Sequence, residues 1–233
     1  MHSYLFSFVL IFAFVGLSYE KNLPSYIKRC KYTTNGKILG ECVKNVFIDL
    51  KDKFISGIPE MHIPVLDPFE INEIDFNTGS GSSIGLESRF SNVKISYTKN
   101  VILENVNIDI PNVLCTIELK FPMLRLTTNY NLTGQIMIMQ LNGTGNAEGN
   151  FTDIRSDIRF KGHFVRRHNK EYVEWTDRKL NLTIAKASMH FDDLFHNNKE
   201  LTEATNKMIN ENYDEIIRER VFHTFSVEEL FIK

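Results

Sequence analysis

The 233-residue sequence predicts an α+β fold in which a long C-terminal helix is wrapped by a highly curved antiparallel sheet. Between Val93 and Ile184, apolar and polar residues alternate in one run after another, as half-buried antiparallel strands require. Segments with helical periodicity lie before and after this region, so the predicted order is helix, sheet, helix. A sheet of about seven to nine strands curls, and its concave apolar face needs a cover.

The N-terminal residues predict a secretory signal peptide. Residues 4–17 form a run without charge, and the small residues Gly16 and Ser18 suit a cut after Ser18. The run is shorter than the roughly 20 residues of a membrane span. We therefore predict a signal peptide over residues 1–18, one domain over residues 19–233, extracellular localisation and no stable membrane insertion. The alternatives are a buried N-terminal helix and an uncleaved anchor.

The first segment of the mature chain, from Leu23 to Ile58, is predicted to be helical. Gly57 and Pro59 end it, and the proline-rich stretch that follows predicts an extended connector. The apolar residues at helical spacing are Val43, Val46, Phe47, Leu50, Phe54 and Ile55.

The strands are predicted from alternation and from the turn residues between runs. Cys115 to Phe121 presents one apolar face, and Leu124 to Leu132 takes up a new one. The stretches "NLTGQ", "LNGTGN" and "RRHNKEY" are typical of hairpin turns. The run "IMIMQL" from Ile136 is apolar on both faces and is predicted to lie under another element.

The closing segment, from "NNKEL" to "RERVF", predicts a second helix with a broad apolar stripe. Its twenty-odd residues would form a rod of about 33 Å, long enough to cover the sheet. The stripe consists of Leu201, Met208, Ile209, Ile216, Ile217 and Val221.

Charge, cysteines and sequons restrict the class of protein. The net charge of −2, with basic and acidic residues interleaved, argues against a nucleic-acid partner.

In an oxidising compartment we expect Cys30 and Cys42 to form a disulfide. Cys115 is interpreted as a small buried hydrophobe, against the alternatives of a reactive thiol or an intermolecular link. Four N-glycosylation sequons place exposed acceptors at Asn131, Asn142, Asn150 and Asn181.

No catalytic set, metal site or cofactor site is predicted. Ser83 lies in a Gly-x-Ser-x-Gly match, but the strand, turn and helix that this nucleophile motif needs are missing, and a flexible turn is favoured. His190, Asp192 and Asp193 lack the spacing of metal ligands.

Several stretches together resemble the insect takeout and juvenile hormone-binding protein family, over residues 23–233. They are "LPSYIKRC" with Cys42, "GIPEMHIPVLDPFEI", "FPMLRLTTNYNLTGQI", "NGTGNAEGNFTDI", "LFHNNKELTEATNKMINENYDEI" and "ELFIK". The resemblance implies a tubular lipid-binding fold with an apolar tunnel, a disulfide between Cys30 and Cys42, and extracellular carriage of a juvenile hormone, another terpenoid or a fatty-acyl compound. It also implies clock control in some members and roles in feeding, taste or courtship.

The candidate tunnel residues are those whose side chains are expected to face inward from the strand and helix periods. The alternative for each is plain packing in the core. The candidates are Ile117, Leu119, Phe121, Leu126, Tyr130, Ile158, Phe160, Phe164, Trp175, Phe191, Met208 and Ile209. Tyr130 or Trp175 would hydrogen-bond an ester or a carbonyl. The function hypothesis is a secreted, monomeric, non-enzymatic carrier. The rivals are an interaction protein with a filled core, which binds a receptor, and an esterase using Ser83.

Overall fold

In the part of the chain that the structure describes, the fold comprises a six-stranded antiparallel sheet and two α-helices. The computed structural model describes residues 24–31, 33–61, 63–77, 84–136, 139–168 and 170–212. The helices are α1 (Gly36–Ser56) and α2 (Lys199–Glu211). The strands are β1 (Phe69–Asn77), β2 (Ile84–Ser96), β3 (Ile102–Asp109), β4 (Leu114–Ile136), β5 (Met139–Arg167) and β6 (Lys170–Phe191).

Helix α1 starts later than predicted, because an asparagine caps it. The Oδ1 atom of Asn35 accepts hydrogen bonds from the backbone amides of Lys37 and Ile38, at 3.1 and 3.2 Å. These bonds satisfy amides that have no partner inside the helix, so the helix begins at Gly36. The predicted end is confirmed: the helix stops at Ser56, and the following glycine has a φ of 86°.

The sheet has fewer and longer strands than the sequence predicts. Its order is β1-β2-β4-β5-β6, and β3 also pairs with β4. The two apolar runs on either side of Pro122 belong to one strand, β4, rather than to two. β4 pairs with β3 as far as Lys120 and with β2 from Arg125 onward. Pro122 lies between these two pairings, so neither β3 nor β2 needs a hydrogen bond from the N–H that proline lacks.

The stretch "LNGTGN" is a strand and not the predicted turn. It lies inside β5, paired with β4. At Gly143 an added Cβ would lie 2.4 Å from the carbonyl oxygen of Asp193 and 2.6 Å from the Cα of Leu194. The glycine therefore lets the chain that leaves β6 cross the sheet at close range. "NLTGQ" likewise lies inside β4.

The predicted turn at "RRHNKEY" is confirmed, since Arg167 pairs with Lys170 at the end of the β5–β6 hairpin. Ile136 and Met139, in the run "IMIMQL", pair with each other at the end of the β4–β5 hairpin. The prediction that this run lies under another element falls on side chains outside the described ones. Residues 137–138 of that run lie outside the described residues.

The buried side chains form two groups on the inner face of the sheet. The first core lies under α1 and includes Phe47 and Phe54 of that helix together with Ile117 of β4. The second core includes Leu132 of β4 and Ile209 of α2. The two helices therefore share the cover that the sequence assigns to the C-terminal helix. The predicted continuation of that helix, with Ile216, Ile217 and Val221, lies outside the described residues, as does the predicted signal peptide.

Candidate functional site

Seven of the candidate tunnel residues belong to the first core. Five of them are buried, with exposed fractions between 1% and 7%. The other two, Leu126 and Trp175, are partly buried and pack against the first core. The five buried residues are Ile117, Leu119, Phe121, Ile158 and Phe160.

Four further candidates belong to the second core. Tyr130, Phe191 and Ile209 are buried, and Met208 is partly buried against them. The rings of Tyr130 and Phe191 meet edge to face, with centroids 5.1 Å apart and an interplanar angle of 89°. This arrangement matches the ring quadrupoles and favours a fixed orientation of both side chains.

Phe164 differs from the other candidates, because 46% of its surface is exposed. Its pairing with Val173 places it two residues beyond the pair of Gly162 with Trp175. β4 ends at Leu114, which pairs with Lys161, so no further β4 residue lies beside Phe164. Phe164 lies on the same face of β5 as Phe160, four residues along the strand. Because β4 ends before it, no neighbouring side chain of β4 buries Phe164. Parity alone does not ensure burial.

Two candidates carry buried polar atoms without a hydrogen-bond partner in the described part of the chain: the hydroxyl of Tyr130 and Nε1 of Trp175. An unpaired buried polar group costs about 1–3 kcal/mol. Burial raises the pKa of Tyr130 to about 12, and the backbone N–H of Asp193 acts in the opposite direction without reaching the geometry of a hydrogen bond to the hydroxyl. The hydroxyl therefore remains protonated and can donate or accept a hydrogen bond. Trp175 can only donate. Each core can thus offer one polar contact to an otherwise apolar molecule.

The attachment of α2 to the edge of the sheet was not predicted from the sequence. Asn206, which is buried, accepts a hydrogen bond from the backbone N–H of Phe191 at 3.0 Å and donates one to its carbonyl at 2.9 Å. Asn210 makes the same pair of bonds with Met189, at 2.7 and 2.8 Å. The sequence feature that could have indicated this attachment is a pair of asparagines four residues apart, one on each side of the apolar Met208 and Ile209.

The outer face carries a polar groove of about 420 Å³. A row of side-chain amides crosses it: Asn92 donates to Asn129 at 2.9 Å, Asn129 to Asn146 at 2.8 Å, and Asn146 to Asp192 at 3.2 Å. These amides are already engaged with one another across four chain segments. The groove therefore differs in character from the apolar inner face and does not suit a lipophilic molecule.

The cysteines and the glycosylation sequons singled out in the sequence lie within the described residues. The predicted disulfide between Cys30 and Cys42 is formed, with Cα atoms 5.9 Å apart. The four sequon asparagines, Asn131, Asn142, Asn150 and Asn181, are all exposed. Cys115 is partly buried against the first core, and this burial raises the pKa of its thiol to about 12, so the thiol is protonated at neutral pH.

Among the described residues, few side chains are placed to bind a metal ion or to act in catalysis. Across the described ranges, no three His, Cys, Asp or Glu side chains lie close enough together to hold a metal ion. The Nε2 atom of His190 lies 3.7 Å from Asp192. Ser83 lies outside the described residues. No helix in the described part of the chain is long and apolar enough to cross a membrane.

The curved antiparallel sheet, its helical cover and its apolar inner face define a protein of the tubular fold class. The structure is similar to the crystal structure of Takeout 1 from Epiphyas postvittana, with a TM-score of 0.69 and 19% identity, covering 82% of this chain and 86% of that one. The chain belongs to the haemolymph juvenile hormone binding protein family, whose model matches residues 7–225. The predicted family and fold are thereby confirmed.

Two relatives carry a name that refers to the circadian clock. The circadian clock-controlled protein daywake of Drosophila melanogaster is 25% identical over 201 residues, which cover 83% of this chain and 75% of the relative. Daywake of Drosophila yakuba is 24% identical over 202 residues, covering 84% and 76%.

Proposed function

We propose that this protein is a secreted carrier of a small lipophilic ligand: a juvenile hormone, another terpenoid or a fatty-acyl compound. The observation that carries the proposal is the apolar inner face with unpaired polar atoms at Tyr130 and Trp175. Membership of a family described as haemolymph juvenile hormone binding proteins supports it.

The proposed binding energy comes mainly from apolar contact. A ligand that leaves water for the inner face gains roughly 25 cal/mol for each Å² of apolar area buried. An ester or carbonyl oxygen would accept a hydrogen bond from Tyr130 or Trp175 and remove the cost of leaving that atom unpaired. Under this proposal the ligand contacts members of both cores, and the two polar groups select its orientation.

Secretion and glycosylation belong to the same proposal. The apolar N-terminal run supports cleavage after Ser18, and the disulfide between Cys30 and Cys42 supports an oxidising compartment. The exposed acceptors at Asn131, Asn142, Asn150 and Asn181 support N-glycans. Expression in insect cells tests these points: we expect a secreted chain beginning at Tyr19, and a loss of mass after treatment with an N-glycosidase.

Regulation by the circadian clock is proposed from the names of the relatives. The expected observation is a daily rhythm in transcript level that disappears in animals without a functional clock. A constant transcript level would remove this part of the proposal and leave the carrier function untouched.

Ligand binding is tested with secreted, purified protein and a fluorescent lipid probe. We expect terpenoids or fatty acids to displace the probe, and native mass spectrometry to detect a co-purified lipid that organic extraction removes. Repeated failure of both measurements would favour the rival, an interaction protein whose cores are filled by its own side chains.

We also propose that the protein is not an enzyme, because the family is one of binding proteins. The protein should release no product from short- and long-chain esters. Ester hydrolysis that is lost in the Ser83→Ala variant would overturn this part of the proposal.

A further inference from the structure

The end of the β5–β6 hairpin extends beyond the rest of the sheet. The last described bond that ties it to its neighbour runs from the N–H of Gly162 to the carbonyl of Val113, at 2.9 Å. From there the two strands continue alone, paired as far as Arg167 and Lys170. We call residues 159–179 the basic arm, which comprises this two-stranded ribbon and its base.

The basic arm has one apolar face. Trp175, at its base, lies against Phe160 of the first core, with ring centroids 5.7 Å apart. Phe164 and Val173 form the next cross-strand pair toward the tip on the same face. Phe164 is almost half exposed, and a two-stranded ribbon gains little stability by itself. The exposed ring of Phe164 therefore continues the apolar strip from the first core to the surface of the protein.

The charge of the basic arm is opposite to that of the remainder of the chain. The arm contains seven Lys and Arg residues against three Asp and Glu, a formal charge of +4 in a chain whose total is −2. Arg159, Lys161 and Lys179 are exposed at its base, and Arg166 is exposed near its tip. Arg167 is partly neutralised by Glu174, 3.0 Å away.

We propose that the basic arm docks the protein on a lipid surface that carries anionic headgroups. The arrangement suits such a surface, because Lys and Arg contact headgroups while an aromatic side chain enters the boundary with the acyl chains. An acidic protein partner would use the charge but has no need for an exposed Phe164 beside it. This inference goes beyond ligand carriage and does not depend on it.

The first test measures flotation of the full secreted protein with vesicles. We expect binding to phosphatidylcholine vesicles that contain phosphatidylserine, and none to vesicles of phosphatidylcholine alone. Raising the salt from about 0.1 M to about 1 M shortens the Debye length from about 10 Å to about 3 Å, so binding should be lost. Absence of binding to the anionic vesicles, or equal binding to both kinds, would overturn the proposal; an acidic protein partner would produce the first of these results.

Matched variants locate the contact. The double variant Lys161→Gln with Arg166→Gln should weaken vesicle binding by about thirtyfold. Each basic residue near an anionic surface raises the affinity roughly fivefold, and the variant removes two of them. The control, Lys99→Gln with Lys199→Gln, removes the same charge from exposed positions outside the arm and should bind as the parent does. Equal weakening in both variants would assign binding to net charge and refute the arm.

The apolar part is tested in the same way. Phe164→Ser should weaken binding, whereas Ile48→Ser, which alters a residue of α1 with 56% exposure, should not. Trp175, at the base of the arm, is the single tryptophan, so its fluorescence reports acyl chains that come close to it. We expect quenching by brominated acyl chains in vesicles that float with the protein. Quenching of protein that stays off the vesicles would show extraction of a lipid, which supports carriage and refutes docking.

Discussion

The side-chain amide of Asn206 pairs with the backbone of Phe191 as a neighbouring strand would, one bond in each direction. Asn210 repeats the pairing with Met189, one helical turn along α2 and two residues along β6. A rise of four residues in a helix, about 6 Å, nearly equals two residues of a strand, about 6.6 Å. The edge of β6 is thereby satisfied by side chains of a helix.

We expect Asn206→Ala to destabilise the protein by about 2–4 kcal/mol, because it leaves a buried backbone N–H and carbonyl without partners. Urea denaturation measures the change. The control is Asn45→Ala, at an exposed position of α1, which should change stability by less than about 0.5 kcal/mol. Equal effects of the two substitutions would show that the paired amide does not attach the helix.

Gly143→Ala should destabilise the protein by about 1–3 kcal/mol, because the added methyl group would lie within 2.4–2.6 Å of Asp193 and Leu194. Gly145→Ala is a matched control two residues away, where the nearest atoms lie 3.4–3.5 Å from the added carbon. Thermal unfolding compares them. A larger loss for Gly145→Ala would contradict the close crossing at Gly143.

Tyr130→Phe separates the effect of the unpaired hydroxyl on stability from its effect on ligand affinity. Without ligand, the variant should be as stable as the parent or more stable, since it removes a buried polar atom that has no partner. With a ligand whose oxygen the hydroxyl contacts, affinity should fall by about tenfold, equivalent to about 1.4 kcal/mol. Denaturant titration and probe displacement are the two measurements. Unchanged affinity across an oxygenated ligand panel would remove Tyr130 from the binding site.

Stability should fall at high pH because of Cys115. Burial raises its pKa to about 12, so above an unfolded-state value near 9 the folded protein retains a proton that the unfolded chain releases. The contribution is fully present below pH 9 and decreases by up to about 1.4 kcal/mol for each pH unit between 9 and 12.

Urea denaturation between pH 8 and 11 measures this slope, and Cys115→Ala should make it less steep. Tyr130 contributes in the same direction, because burial also raises its pKa, so the Tyr130→Phe variant provides an independent comparison. Identical slopes in the parent and in Cys115→Ala would mean that the thiol is not sufficiently buried to resist ionisation.

Alternation alone was sufficient to predict which side chains of β4 face inward. Ile117 and Leu119 are buried, while Asn131 is exposed beside the buried Tyr130, as parity requires. The disulfide and the end of α1 were also predictable, because both depend on residues close together in sequence. The resemblance to known family motifs then indicated the tubular fold.

Features that depend on distant segments required the tertiary structure. Pro122 and the glycines of "LNGTGN" look like breaks in a strand, yet the first lies where β4 changes neighbours and Gly143 lies where the chain crosses β5. Phe164 has inward parity, but no residue of β4 lies beside it. Side-chain direction is local, since it follows from the two-residue period of one strand. Burial and pairing are decided by neighbours that the chain supplies from elsewhere, and only their assembly in three dimensions brings those neighbours into contact.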